Sequence, residues 1–373
     1  MNRTAPKVAI CTDWSSQIPR NPDGSAFSSI FTGGLRATQY ERERWDVAPI
    51  LEGRVPHIKG YFSTRELHGF LRQYGLTFIA FSQVGWSRGA FHSTWMPWTP
   101  GKTDHSVSPA DTWSSIAGNL YRLRAAAEPP NSEPNTHDSI ANLVDARTDP
   151  ERLSSAISLS LRSIDLSVEA IADYYHEQLV NLMAAGSTNG ELVATTLDQN
   201  LFAHVNSFLM HFGSARDYLA TLCASRIGMD SRIDSLARLV DSLRSDHLDK
   251  DPILAVFTTL GYIKPKASPS TKFEVSGWMQ QATELRNEFM HRRPFGAKFH
   301  ERTGSARTLD SEIGVYRYVR PIVVTDAKYD LLDLIAKHYR KIGELFDKAA
   351  TATGYDAEIP TFTDVDIISI KQL

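Results

Sequence analysis

Only two cysteines, Cys11 and Cys223, occur in 373 residues, and they stand far apart. That excludes a disulfide framework and a cysteine-rich zinc site, and it predicts a reducing, cytoplasmic setting. No apolar run approaches the length of a bilayer span. The opening MNRTAPKVAICTDW has no signal-peptide core before its polar residues, so no membrane partner is expected. Excess charge is missing too: 40 Lys and Arg against 43 Asp and Glu leave a net −3. A broadly basic nucleic-acid coat is thereby excluded, and any nucleic-acid contact is confined to a local patch. Phosphate-cradling loops are absent, since FTGGLRATQ lacks the lysine and spacing of a P-loop. The zinc-protease pattern fails as well, because no second histidine stands four residues after His176. Neither a metal nor a cofactor is called for.

What is present is 42% apolar and 22% charged, enough for a sizeable core, and the length predicts two or three units. Six of the seven tryptophans (Trp14, Trp45, Trp86, Trp95, Trp98, Trp113) lie in the first 113 residues. KVAICT and LTFIAFSQV read as short buried strands, and STRELHGFLRQYG as a helix capped by Ser63 and closed by Gly75. Residues 1–127 are therefore expected to form a small Trp-rich mixed α/β or irregular unit. Proline-bearing EPPNSEPN places an exposed linker over 128–137.

From 138 the pattern turns helical. Asp149-Pro150 reads as an N-cap followed by proline at the first helical position, and the run continues to a stop at Gly186. A second long helix after STNG carries Val193, Leu197, Leu201, Val205, Phe208, Phe212, Ala215, Leu219 and Leu222, one core-facing stripe. A Pro/Ser linker, KPKASPSTK, leads to a helix with Val275, Trp278, Ala282, Leu285 and Phe289 inside. VYRYVRPIVV reads as a strand or hairpin arm. Thr325 is expected to cap a last helix that buries Tyr329, Leu332, Ala336, Tyr339, Ile342 and Leu345. The expected class is mainly α, with long connecting helices over 138–186, an antiparallel four- or five-helix bundle over 187–355 and an acidic tail over 356–373.

The helix before that arm ends in QATELRNEFMHRRPFG, Gln281 to Gly296. An α-helix turns about 100° per residue, so Asn287 and His291 point away from the Leu285/Phe289 stripe and Arg286 stands at its border. Arg286 and His291 are about 140° apart on an ideal helix. Their convergence requires the long guanidinium, a loosened last turn, or a second copy of the helix across an interface. Pro294 disfavours helical geometry at Arg293, so His291 falls in the final turn, where the helix dipole favours protonated imidazole. Such an imidazole suits a general acid or base. Arginine is a permanent planar clamp for phosphate oxygens, and Asn287 can fix the imidazole or hold an oxygen. From Arg286 to Arg307, six cations (Arg286, Arg292, Arg293, Lys298, Arg302, Arg307) face Glu288 and Glu301, and six minus two gives +4. Arg292, Arg293 and Lys298 are the candidate substrate-binding residues. The plain alternative is a solvated helix face whose terminal His and Arg only complement the dipole.

LRNEFMH resembles the R-x4-H motif of the HEPN superfamily. Its placement is similar too: the penultimate long helix of a bundle, preceded by an amphipathic helix containing FLMHFGSARDYL. The resemblance covers roughly 187–350 and implies a four- or five-helix bundle that dimerises and brings two motifs into one cleft. It implies a metal-independent endoribonuclease in which Arg286 clamps the scissile phosphate, Asn287 orients it, and His291 works on the RNA 2′-hydroxyl or leaving oxygen. RNA and a second copy of the chain are the implied partners. A toxin–antitoxin or phage-defence role would add an antitoxin or regulatory protein. The hairpin-like segment between the last two helices departs from the simplest bundle. Members that bind nucleotide, nucleic acid or protein without cleaving RNA give the alternative reading.

Other constellations are weaker. GWSRG, Gly85 to Gly89, fits the G-x-S-x-G elbow of a serine hydrolase at Ser87, but the helix required after it is absent from AFHSTWMPWTPG. His92 and His105 have no further ligand at metal spacing. His204 and His211 share one helix face. Trp95, Trp98 and Phe91 offer base-stacking surface or core.

Overall fold

A computed structural model describes residues 9–10, 26–41, 44–48, 58–61, 63–87, 90–127, 146–267, 272–312, 314–324 and 327–359. Among them are eight α-helices, one seven-stranded sheet and three two-stranded hairpins, a mainly α architecture. Among the described residues, no helix is long and apolar enough to cross a membrane. The chain divides into two compact units of three segments each. The first comprises 1–106, 163–210 and 282–344, and the second 107–162, 211–281 and 345–373. This division cuts across linear boundaries at 127 and 186, since several long helices supply residues to both units.

In the first unit, strands β1 (Ala9–Ile10), β2 (Ala26–Phe31), β3 (Arg36–Glu41), β4 (Arg44–Ala48), β5 (Ile58–Tyr61), β6 (Phe78–Ser87) and β7 (Ala90–Pro97) form the antiparallel sheet. Their order is β1-β5-β4-β3-β2-β6-β7. LTFIAFSQV supplies most of β6; of KVAICT only Ala9 and Ile10 are described. Helix α1 (Thr64–Arg72) starts where its capping signal predicts. Ser63 accepts from the Glu66 amide, and the Glu66 carboxylate accepts from the Ser63 N–H at 2.9 Å. Gly34, at φ +84, lets the β2–β3 connection approach the helix carrying Tyr175; a Cβ there would lie 2.5 Å from the Tyr175 carbonyl. The Gly34 carbonyl in turn accepts from His176 Nδ1 at 2.8 Å.

Helices α2 (Pro109–Ala127) and α3 (Asp149–Ala184) follow. The cap of α3 is Thr148 rather than Asp149. The Glu151 carboxylate accepts from the Thr148 amide and hydroxyl at 2.6 and 2.8 Å, which ties the residue before Asp149 to the first turn. At the far end Gly186 has φ +75, and the Ser187 and Gly186 amides close on the Leu182 and Met183 carbonyls. Helix α4 (Asp198–Arg226) begins later than its apolar stripe implies. Val193 instead pairs in extended form with Gly304, and Leu197 is 44% exposed, so the buried stripe starts at Leu201.

Helices α5 (Leu236–Ser242) and α6 (Pro252–Thr259) lead to the paired strands β8 (Ile263–Pro265) and β9 (Phe273–Val275), and Lys264 and Pro265 of KPKASPSTK belong to β8. Helix α7 (Gly277–Asn287) carries the motif. VYRYVRPIVV splits into β11 (Val315–Val319), paired with β10 (Ser305–Asp310), and β12 (Pro321–Val324), paired with β13 (Ala327–Asp330). Helix α8 (Leu331–Thr353) ends the described architecture. It starts after Tyr329, which is a strand residue and 44% exposed rather than core. The Asp333 amide donates to Asp330 Oδ1 at 3.1 Å, which caps the helix locally. Thr325, the 128–137 linker, Trp14 and the tail from 360 lie outside the described residues. In the second unit the Trp113 indole donates to the Phe346 carbonyl at 3.0 Å and Arg226 meets buried Asp251 at 2.6 Å.

Candidate functional site

Trp278, Ala282 and Leu285 bury one face of α7 and fix its rotation. After Asn287 the helix widens. Residues Glu288–Arg292 form a π turn, and the Arg293 amide bonds to the Glu288 carbonyl, five residues back, at 2.8 Å. Arg293 is extended at φ −155, ψ 108, as Pro294 imposes on its predecessor. A turn closed by i→i+5 bonds stacks residues five apart, as an α turn stacks those four apart. Arg286 and His291 therefore meet.

Arg286 Nη1 donates to His291 Nε2 at 3.2 Å and to Asn287 Oδ1 at 3.1 Å. A guanidinium only donates, so Nε2 is the acceptor and the imidazole proton sits on Nδ1. The loosened last turn brings the pair together within one chain. His291 is exposed, while Arg286 and Asn287 are half-buried. Arg286 Nε is buried without a hydrogen-bond partner, and no carboxylate forms an ion pair with Arg286 among the described residues.

The chain beyond Pro294 locks this end of the helix. Phe295 lies edge-on to Phe289 and to Phe202 of α4, with ring centroids 6.0 and 5.5 Å apart. Gly296, at φ +88, packs so closely that a Cβ would sit 2.7 Å from the Phe202 ring. Glu301, fully buried, accepts from the Gly296 amide at 3.0 Å and from Arg293 Nη1 at 2.6 Å. Its own carbonyl accepts from Arg320 Nε at 2.8 Å. Arg320 is fully buried and bridges to Asp198 at 2.9 Å. A continuous set of polar contacts thus runs from the core to the motif's C-terminal side.

That set decides which cations face water. Arg293 is turned inward: Glu301 and Glu288 match its charge, and its guanidinium lies 5.2 Å over the Phe289 ring. Arg302 is likewise tied, by Nε, to the Gly296 carbonyl at 2.6 Å. Arg292 remains 78% exposed, with only a 3.8 Å contact to Glu288, and Lys298 is exposed. Phe299, beside Lys298, is 77% exposed and was not singled out by the sequence; an aromatic next to a lysine in a polar loop was its only signal.

Other sequence candidates lie elsewhere. Ser87 ends β6 and pairs with Ala90 across a hairpin, so no helix follows the GWSRG turn as an elbow demands. The Trp95 indole donates to the Tyr339 hydroxyl at 2.9 Å, a structural bond. The side chains of Phe91 and His92 lie outside the described residues. His204 makes no hydrogen bond to the motif among the described residues, and burial lowers the pKa of His211. Comparison with family models, with curated proteins and with solved structures finds no match to this chain.

Proposed function

We propose that this protein is a metal-independent endoribonuclease of the HEPN type, with a helical bundle that pairs with a second copy of itself. The observation that carries the reading is the 3.2 Å contact between Arg286 and His291 at an exposed helix end, made possible by the π turn. A cation without a carboxylate partner, touching a neutral imidazole, is the minimal equipment for cleaving RNA through its own 2′-hydroxyl.

When a phosphodiester enters, the guanidinium turns its donors to the non-bridging oxygens, where negative charge grows in the transition state. Nε2 of His291 is then released to take the 2′-hydroxyl proton. The 2′-oxygen forms a bond to phosphorus as the bond to the 5′-oxygen breaks, which leaves a 2′,3′-cyclic phosphate and a 5′-hydroxyl. The proton on the leaving oxygen comes from water or from the imidazole of the second copy. Asn287 holds Arg286 in place through its Oδ1. Arg292 and Lys298 attract the flanking phosphates, and Phe299 offers a face for base stacking.

The test is incubation of the purified protein and of His291→Ala with RNA in EDTA. Cleavage to cyclic-phosphate ends by the parent, and a loss of about a hundredfold or more in the variant, is expected. Intact RNA with a folded, dimeric parent would leave the non-catalytic binding module as the better reading.

A further inference from the structure

Helix α1 carries a second concentration of unmatched charge. Arg65, His68 and Arg72 stand at i, i+3 and i+7, one helix face, with the two arginines about 10 Å apart along the axis. They line a cavity of about 560 Å³ together with Phe81, Trp98 and His105. That volume is within the range of small-ligand sites, roughly 300–1,000 Å³. Among the described residues, no Asp or Glu lines the cavity. Arg65 and Arg72 are exposed, and neither guanidinium has a hydrogen bond or ion pair among the described residues.

Around the lining, Arg340 adds positive charge, while Asp104 and Lys102 act on His105 in opposite directions. The Arg340 guanidinium lies 4.8 Å over the Trp98 ring, and its Nε is buried without a partner. Burial, then the Arg72 charge, lowers the pKa of Arg340. Burial, then the charges of Arg72 and Arg340, pulls His68 down to about 4, so the imidazole is neutral and stacks on Phe78 at 4.0 Å. His105 Nδ1 is also buried without a partner. Gly69 adds space, because a Cβ there would meet nothing within 4 Å. Arginines crowded beside aromatic rings, with no carboxylate to balance them, are stabilised by an anion that also carries a flat apolar surface.

We infer that this cavity binds a nucleotide, with the phosphate held between Arg65 and Arg72 and the base against Trp98 and Phe81. The ligand is either a free nucleotide or the terminal nucleotide of an RNA strand. The assignment does not rest on the Arg286–His291 reading, since none of its residues belongs to that motif.

Isothermal titration of the full chain tests it. The ligands are the four ribonucleoside monophosphates and diphosphates, inorganic phosphate, and a 5′-phosphorylated tetraribonucleotide. Saturable binding of a nucleotide or of the tetranucleotide is expected, about tenfold or more tighter than inorganic phosphate. Arg65→Ala/Arg72→Ala weakens it by about tenfold or more. The tighter of the two ligand kinds identifies the source. Both arginines are exposed, so the double variant keeps its fold; an unchanged melting temperature checks this. Binding that survives in the double variant, phosphate as tight as nucleotide, or no saturable binding at millimolar concentrations would each overturn the assignment.

Discussion

Arg320 and Arg286 belong to the same unit and keep opposite company. Arg320 is fully buried, ion-paired to Asp198, and donates to the Tyr318 hydroxyl at 3.2 Å and the Glu301 carbonyl at 2.8 Å. Arg286 meets only an amide oxygen and an imidazole, and its Nε has no partner. An arginine that holds a fold keeps a carboxylate partner, because a buried charge without one is prohibitively costly; Arg320 has Asp198, although its Nη2, like Nε of Arg286, makes no hydrogen bond. One left half-exposed beside a base keeps donors for a ligand. Arg293, between them in sequence, belongs with Arg320 by this criterion, although it neighbours the motif.

The comparison breaks first at Asp198. Asp198→Ala strands the Arg320 guanidinium in the core and is expected to cost about 3–5 kcal/mol in urea unfolding. Arg286→Ala, by contrast, should stay within about 0.5 kcal/mol of the parent in stability while RNA cleavage falls about a hundredfold or more. Equal destabilisation by the two variants would erase the distinction. Glu301→Gln sharpens it: Arg293 loses its buried partner, and a cost of about 1–3 kcal/mol is expected. Cleavage should fall with it as the π turn loosens, which a single unfolding and activity series would read.

The smallest effect is in the pH dependence of stability. Burial pulls His68, His176 and His338 down to about 4. In the unfolded chain each binds a proton near 6.5, so between about 6.5 and 4 the unfolded state holds more protons and stability falls as pH drops. Asp330 opposes this, since burial and then Asp333 push it up to about 7, and the native state keeps that proton across the same window. Three histidines outweigh one carboxyl. The melting temperature is expected to decline from pH 7 to pH 4.5, and a flat or rising profile would contradict the burial of these rings.

Local signals were legible in the sequence. The Ser63–Glu66 box, the Gly186 closure and the Trp278–Ala282–Leu285 stripe each depend on residues within one or two turns. So was the widened helix end, as one of three ways for Arg286 to reach His291. The choice among the three was not, because it depends on Phe295 folding back against Phe202, ninety-odd residues earlier. Nor could the sequence separate Arg292 from Arg293, adjacent and chemically alike, since the buried position of Glu301 decides between them. Val193 and Tyr329 fit helical stripes yet lie in extended chain, where long-range pairing of Val193 with Gly304 and a local hairpin pairing of Tyr329 with Ile322 override helical periodicity. The seven-stranded sheet was legible only in part: four of its six pairings join strands consecutive in the chain, whereas β2–β6 and β1–β5 join strands distant in sequence.

The most direct test of a shared Arg286–His291 unit is a cleavage cycle on RNA in EDTA, with the parent, Arg286→Ala, His291→Ala and the double variant. Groups that act together are not additive, so the double variant should be no slower than the worse single one. Losses that multiply, or a parent that leaves RNA intact, would contradict the account.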